Sequence, residues 1–328
     1  RPLPLTDVLV NPTDGALYFA AGGRTTDSAL YRVTYVGTES TAPASYPAPT
    51  AEARLRRDLE ALHTSGTGES VVDQAWPHLS HADRFVRWAA RVAIERQPAS
   101  LWTRRALAER DPQASLEALL ALVRLGDKSL QSDLVSALTR FDLESLPLEQ
   151  QFQLVRLWEL TFTRMGEPSP AVKARVAAQL DRFFPHPDRL LSRELAGLLV
   201  YLDSPTVVAK TVPLLKIAEQ PESQDLVDEA LLARNDRYGP TLAGLNQTRP
   251  ARQQFAYATA LRSARTGWTP RLREEYFSWF KEAYRWTGGM SFSGFINNIR
   301  MIALAAVPDT AEREHLAQLS LRPGPQMT

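Results

Sequence analysis

The pattern of hydrophobic and polar positions changes near residue 38 of the chain. Residues 5–10, 16–20 and 29–36 are short runs rich in Val, Leu, Tyr and Phe. Residues 11–15, Asn-Pro-Thr-Asp-Gly, have the composition of a tight turn. The pattern predicts a three-strand β-meander over residues 1–37. An isolated meander of this size is marginally stable, so we expect it to pair with strands of a partner or another domain, or to fold onto the helices after Leu55.

Residues 51–320 follow the period of an α-helix. Apolar positions recur every three to four residues in stretches of about 12–18 residues, separated by Pro, Gly, Asp and Ser. Residues 38–50 contain three prolines and have the composition of a linker, and residues 321–328 form a short tail. Many short helices predict a mainly α protein built as an α-solenoid of helix pairs. The alternative is a non-repetitive helical bundle.

The clearest helical unit lies at residues 76–94. Asp83 precedes Arg87 by four positions, so the two side chains can pair across one helical turn. A stripe at helical spacing is formed by Phe85, Trp88, Ala89, Val92 and Ala93. This unit resembles a HEAT repeat, and residues 107–125 and 198–217 resemble weaker copies. The stripe predicts that Trp88 is buried and that Trp88→Ala costs about 3–5 kcal/mol.

Composition narrows the classes of function. The chain has 328 residues, 38 Lys+Arg against 37 Asp+Glu, and no Cys. Without Cys, disulfides, thiolate metal sites, thiol catalysis and thioether-linked haem are excluded within these residues. The balanced charge argues against a nucleic-acid-binding protein. No stretch approaches the ~18 consecutive apolar residues of a membrane-spanning helix, so we predict no direct membrane span.

Two local patterns were weighed as catalytic or metal sites. His78 and His81 with Asp83 have ligands of the kind that zinc uses, but no fourth ligand is evident and a role in a turn is the simpler interpretation. Residues 289–294 look like a nucleophile elbow, but the second glycine is misplaced for Gly-x-Ser-x-Gly. We therefore predict no catalytic, cofactor-binding or metal-binding residue in this chain.

An aromatic cluster lies between residues 276 and 292. Leu272, Tyr276, Trp279 and Phe280 share one helical face and are predicted to be core. Phe277 and Tyr284 widen the apolar arc, so we consider them, together with Trp286, candidates for a contact with a ligand or another domain. The alternative is that all of these aromatic side chains belong to the core.

Three segments, in order along the chain, resemble one multidomain family. Residues 7–33 resemble the closing blade of a β-propeller, residues 76–96 the first helical repeat that follows it, and residues 275–300 the end of the helical region. The family comprises the planctomycete and verrucomicrobial proteins labelled membrane-bound dehydrogenase or haem-binding c-type cytochrome. Its members carry a propeller similar to sugar dehydrogenases, a HEAT-like region and a cytochrome c module.

The resemblance implies a non-catalytic scaffold segment of a periplasmic or secreted sugar or alcohol dehydrogenase–cytochrome c protein. The segment would link the propeller to the electron-accepting haem module, and Arg24 would lie nearest to the propeller's chemistry. Its partners would be these domains or another protein. The parent would hold haem c and a propeller-bound cofactor, but the Cys-x-x-Cys-His motif cannot exist here, and no cofactor residue is carried over.

Two other functions stay open. One is a general protein–protein interaction module of HEAT repeats, unrelated to redox chemistry. The other is an autonomous helical-repeat enzyme, such as a repeat-type DNA glycosylase; it ranks third because we find no basic groove or catalytic Asp in the sequence.

The purified chain is expected to bind neither haem nor metal tightly, because it lacks thiols and its histidines lack convergent partners in sequence. Absorption spectroscopy should show no Soret band, and elemental analysis should find no stoichiometric zinc. Either signal would contradict the interpretation.

Overall fold

A computed structural model describes residues 5–23, 26–40, 42, 45, 48–217, 250–286 and 291–322. Contacts within the chain divide it into two compact units. The described residues up to Ala48 belong to the first unit, and those from Pro49 onward belong to the second.

The first unit contains a three-stranded antiparallel sheet. Its strands are β1 (Leu5–Val10), β2 (Leu17–Gly23) and β3 (Thr26–Val33), in the order β1-β2-β3. The predicted meander is therefore confirmed. Asp14 fixes the first turn, because its carboxylate accepts hydrogen bonds from the Ala16 N–H at 3.0 Å and from the Tyr18 hydroxyl at 2.8 Å.

Most large apolar side chains of the sheet are exposed. Leu30 is 72% exposed and Val10 is 61% exposed, whereas the small Ala16 and Ala21 are buried. The stacked rings of Phe19 and Tyr31 are 4.8 Å apart. The described strands thus bury little apolar surface, and the expected docking of the meander stays a prediction.

The described part of the second unit is helical. Its α-helices are α1 (Ala51–Ala61), α2 (Glu69–Ala75), α3 (Arg84–Glu95), α4 (Thr103–Ala108), α5 (Pro112–Leu125), α6 (Gln131–Thr139), α7 (Leu148–Met165), α8 (Pro170–Asp181), α9 (Arg189–Tyr201), α10 (Val207–Thr211), α11 (Arg252–Leu261), α12 (Pro270–Ala283), α13 (Phe292–Ala305) and α14 (Thr310–Leu319). The prediction of a mainly helical protein is confirmed.

Several helices begin at an aspartate cap. Asp83 accepts a hydrogen bond from the Phe85 N–H at 2.7 Å and begins α3. Asp111 caps α5 in the same way, and the helix starts at the following proline. A side-chain oxygen at this position satisfies one of the free N–H groups of the first turn, and a proline at the first helical position loses no hydrogen bond.

Alternate helices pack on one another. α1 contacts α3, α3 contacts α5, α5 contacts α7, α7 contacts α9, and α9 contacts α11. The shorter even-numbered helices lie against these, with α2 on α3, α4 on α5, α6 on α7 and α8 on α9. One continuous hydrophobic core runs through the described helices.

The prediction that the apolar stripe on α3 is buried is wrong for its two largest residues, Phe85 and Trp88. Phe85 is 54% exposed and Trp88 is 46% exposed, whereas Ala89, Ala90 and Ala93 are fully buried. The helix lies between α1 and α5, and small side chains let both neighbours approach closely. Trp88 therefore lies at the surface rather than in the core.

Trp158→Ala should cost about 3–5 kcal/mol of stability, because this ring is fully buried and its removal leaves a large cavity. Trp88→Ala is the matched control and should cost about 1 kcal/mol or less, as is usual for surface substitutions. Urea unfolding of both variants tests this. A larger loss for Trp88→Ala than for Trp158→Ala would contradict the assigned faces.

Candidate functional site

The structure describes three of the four residues that the sequence singled out for a domain contact. Arg24 lies outside the described residues. Phe277 is 2% exposed and packs on Phe280 in the core. Tyr284 is half-buried, with its hydroxyl 3.4 Å from the Asn297 side-chain oxygen, and Trp286 meets another tryptophan edge-on. A domain contact through Tyr284 and Trp286 stays a prediction.

The histidines near helix starts take part in turns. His81 Nδ1 accepts a hydrogen bond from the Asp83 N–H at 3.0 Å, and His186 Nδ1 accepts one from the Asp188 N–H at the same distance. In both cases the aspartate then caps the next helix. Among the described residues, no group of three or more His, Asp or Glu side chains could hold a metal ion. The two His-x-Asp turns are thus equivalent structural devices.

A ladder of alternating charges crosses three successive odd-numbered helices. Arg87 and Arg91 of α3 are buried and both reach Glu117 of α5, at 3.5 Å and 3.2 Å. Arg87 also pairs with Glu149 at the start of α7, at 2.8 Å. Glu95 continues the ladder towards α5 through Arg124, at 3.0 Å. We call these six side chains the charge ladder.

Glu117 is the centre of the charge ladder. Burial raises the pKa of Glu117 above its usual value, and Arg91 and Arg87, which act in the opposite direction, offset only part of this effect. Removing a buried charge from water is costly unless its partners are close. The position of Glu117 between two arginines is therefore a condition for packing α5 against α3.

Two clefts lie on either side of one ion pair, which joins Lys173 of α8 and Asp203 after α9 at 3.1 Å. The first, the alanine cavity, has a volume of about 540 Å³ and is lined by Ala174, Ala177, Ala178, Leu202 and Pro205 together with the ion pair. The second, the arginine cleft, has a volume of about 350 Å³, and its walls include Gly197, Tyr201, Thr259, Arg262, Ser263 and Arg265.

The turn between the two clefts is held in an uncommon conformation. Asp203 has a φ of 56°, in the left-handed region that residues other than glycine seldom adopt. Ser204 and Thr206 donate hydrogen bonds to Asp181, whose carboxylate also meets Lys210 at 2.6 Å. Burial raises the pKa of Asp181, but Lys210 and the two hydroxyls more than offset it, so that this pKa lies below its usual value.

The arginine cleft is continuous with the aromatic core. The rings of Trp158 and Phe162 stack at 5.6 Å, and those of Phe162 and Tyr201 stack at 5.9 Å. Lys173 Nζ lies 5.1 Å from the centre of the Tyr201 ring. Hydrogen bonding to Glu167 raises the pKa of Lys173, and Asp203 adds to this effect, so Lys173 is a cation at neutral pH.

Each cleft has one serine among its lining residues. The serine at each cleft, Ser204 or Ser263, has no histidine among the lining residues, whereas an activated serine needs an adjacent general base. Neither cleft is visible as a local sequence pattern, because the alanine cavity joins α8 to the segment after α9 and the arginine cleft joins these regions to the end of α11. The one local signal was Gly197, a glycine inside an otherwise regular helical pattern.

No known protein family matches the chain, and comparisons with curated proteins and with solved structures also found no match. None of the described helices has the length and apolar character needed to cross a membrane.

Glu117→Ala should destabilise the protein by about 3–5 kcal/mol, because it leaves two buried arginines without their shared partner. Glu149→Ala is the control, since Glu149 is exposed and its pair should be worth about 1 kcal/mol or less. Thermal and urea unfolding give both values. Equal effects of the two substitutions would show that the ladder has no special role at Glu117.

Proposed function

We propose that the second unit is a non-catalytic scaffold, organised as an α-solenoid of HEAT-like helix pairs. The observation that carries this proposal is the packing of each odd-numbered helix, from α1 to α9, on the next odd-numbered helix. In a solenoid each repeat contacts chiefly its neighbours, and this leaves long surfaces free for partners.

Polar bridges between successive odd-numbered helices support the same organisation. The His63 side chain contacts the Ala89 carbonyl at 2.9 Å, between the loop after α1 and α3. The charge ladder joins α3 to α5 and α7. Farther along, Arg193 of α9 donates to the Gln253 side chain of α11 at 2.6 Å. A polar contact thus recurs between several pairs of successive odd-numbered helices. Repeated helix pairs would produce such a recurrence.

The proposed identity of the parent protein rests only on the sequence resemblance. We propose that the first unit completes a β-propeller blade and that the scaffold links this propeller to a haem module in a periplasmic or secreted dehydrogenase. The exposed apolar side chains of β1 and β3 favour pairing with further strands. The chain itself does not fit a c-type haem, because thioether attachment needs cysteine and the sequence contains none. Haem and any propeller-bound cofactor would therefore be bound elsewhere in the parent.

A test uses the full parent protein and two assays. Residues 51–320 are replaced by a flexible Gly/Ser linker, and substrate oxidation is followed with an added dye and, separately, by reduction of the haem. Dye reduction should persist, whereas haem reduction should slow by about tenfold or more, because a flexible linker no longer fixes the two modules at a set distance.

Unchanged haem reduction would contradict the linking role. Loss of dye reduction in a protein whose propeller remains folded would contradict the non-catalytic assignment. A parent without a propeller and a Cys-x-x-Cys-His motif would overturn the redox assignment.

The second candidate is a general interaction module unrelated to redox chemistry. It is favoured by the exposed aromatic side chains of α3, Phe85 and Trp88, and by the open clefts beside Lys173. Both candidates share the scaffold, and they differ in whether the parent carries the two redox modules.

A further inference from the structure

The arginine cleft has the composition of an anion site. Arg262 follows the last residue of α11, and Arg265 lies in the turn after it. Both line the same cleft, together with the hydroxyl-bearing Thr259 and Ser263. Guanidinium groups bind carboxylates through strong, charge-assisted hydrogen bonds. The Ser263 hydroxyl can add a further donor, whereas the Thr259 hydroxyl already donates to the Phe255 carbonyl at 2.7 Å.

The cations of the cleft differ in whether they already have partners. Lys173 is neutralised by Glu167 at 2.7 Å and Asp203 at 3.1 Å. By contrast, the guanidinium groups of Arg262 and Arg265 form no ion pair and donate no hydrogen bond within the described residues. The cleft therefore offers two arginines whose donors are available to an incoming anion.

Gly197 is one of the residues that line this cleft. It lies inside α9, where glycine is less favourable than alanine. A Cβ atom built at this position would meet no atom within 4 Å, so close packing within the chain does not require the glycine. The space beside Gly197 is therefore open to an occupant of the cleft.

The adjacent alanine cavity is apolar and shares the Lys173–Asp203 ion pair with the arginine cleft. An occupant that carries a carboxylate next to an apolar side chain could therefore fill both clefts. We propose that the pair of clefts binds an extended acidic and apolar peptide segment of a partner protein, with a carboxylate between Arg262 and Arg265 and an aliphatic side chain against Ala174 and Pro205.

The surrounding charges disfavour ligands with a high density of negative charge. The hydrogen bond and the charge of Lys173 lower the pKa of Glu167, with a further contribution from Arg265, so Glu167 is ionised at neutral pH. Its negative charge and that of Asp203 lie in the same cleft and would repel phosphate-rich ligands. The proposal deepens the scaffold function, since it names the chemistry of a docking partner.

The probe is the blocked tetrapeptide acetyl-Glu-Leu-Glu-Leu-amide, titrated into the intact chain and followed by ¹H–¹⁵N NMR. Its neutral counterpart, in which Gln replaces Glu, is the matched ligand control. We expect shifts at Gly197 and at the Arg262 and Arg265 side chains with the acidic peptide. Arg262→Ala combined with Arg265→Ala should weaken binding at least about tenfold, as loss of charged hydrogen bonds predicts.

Two further variants separate binding from folding. Gly197→Ala should weaken peptide binding while leaving the thermal midpoint unchanged or higher, because alanine stabilises the helix and its methyl group would take space in the cleft that Gly197 lines. Arg175→Ala removes an exposed arginine of α8 that lines neither cleft, and it should leave binding unchanged.

Several outcomes would overturn the proposal. These are the absence of binding, equal binding of the Gln peptide, an unaffected affinity in the double arginine variant, or equally strong competition by inorganic phosphate, which would indicate an unselective anion site. Free succinate that binds as tightly as the peptide would assign the site to small carboxylates and contradict the peptide part. Failure here would leave the electron-transfer test of the scaffold unaffected, so the two proposals can fail separately.

Discussion

The pairing of charges inside the helical unit constrains how its central helices can pack. Arg87 and Arg91 are removed from water on α3, and Glu117 of α5 lies between them. A shift of α5 along α3 by one turn would separate these groups and leave buried charges unpaired, at a cost of several kcal/mol. The ladder therefore fixes the relative position of these helices more strictly than apolar contacts, which have little directionality, would do alone.

The same order of packing creates the clefts farther along the chain. α9 packs on α7 and on α11, while α8 lies against α9. The end of α11 thereby lines the same cleft as Gly197 and the Lys173–Asp203 ion pair. The ladder side chains form ion pairs within the chain, whereas the side chains of Arg262 and Arg265, which we propose bind a partner, form none within the described residues.

Local features of the fold could be predicted from the sequence, and long-range ones could not. The strands and the aspartate caps at Asp83 and Asp111 depend on residues within a few positions, so their patterns are visible in the chain. Which face of α3 is buried depends on Glu117, about 30 residues away in the sequence. Because Arg87 pairs with Glu117 in the interior, Trp88 lies at the surface. The arginine cleft likewise depends on a contact between segments 60 residues apart.

The charge ladder also bears on how the protein responds to heat. Hydration of charged groups becomes less favourable as temperature rises, so the cost of keeping Glu117 away from water falls. The stabilisation from burial of apolar surface does not increase in the same proportion. On warming, the charge ladder should thus contribute a larger share of the stability at the centre of the helical unit. The helices α3, α5 and α7 should retain their mutual arrangement when more peripheral, purely apolar contacts have begun to loosen.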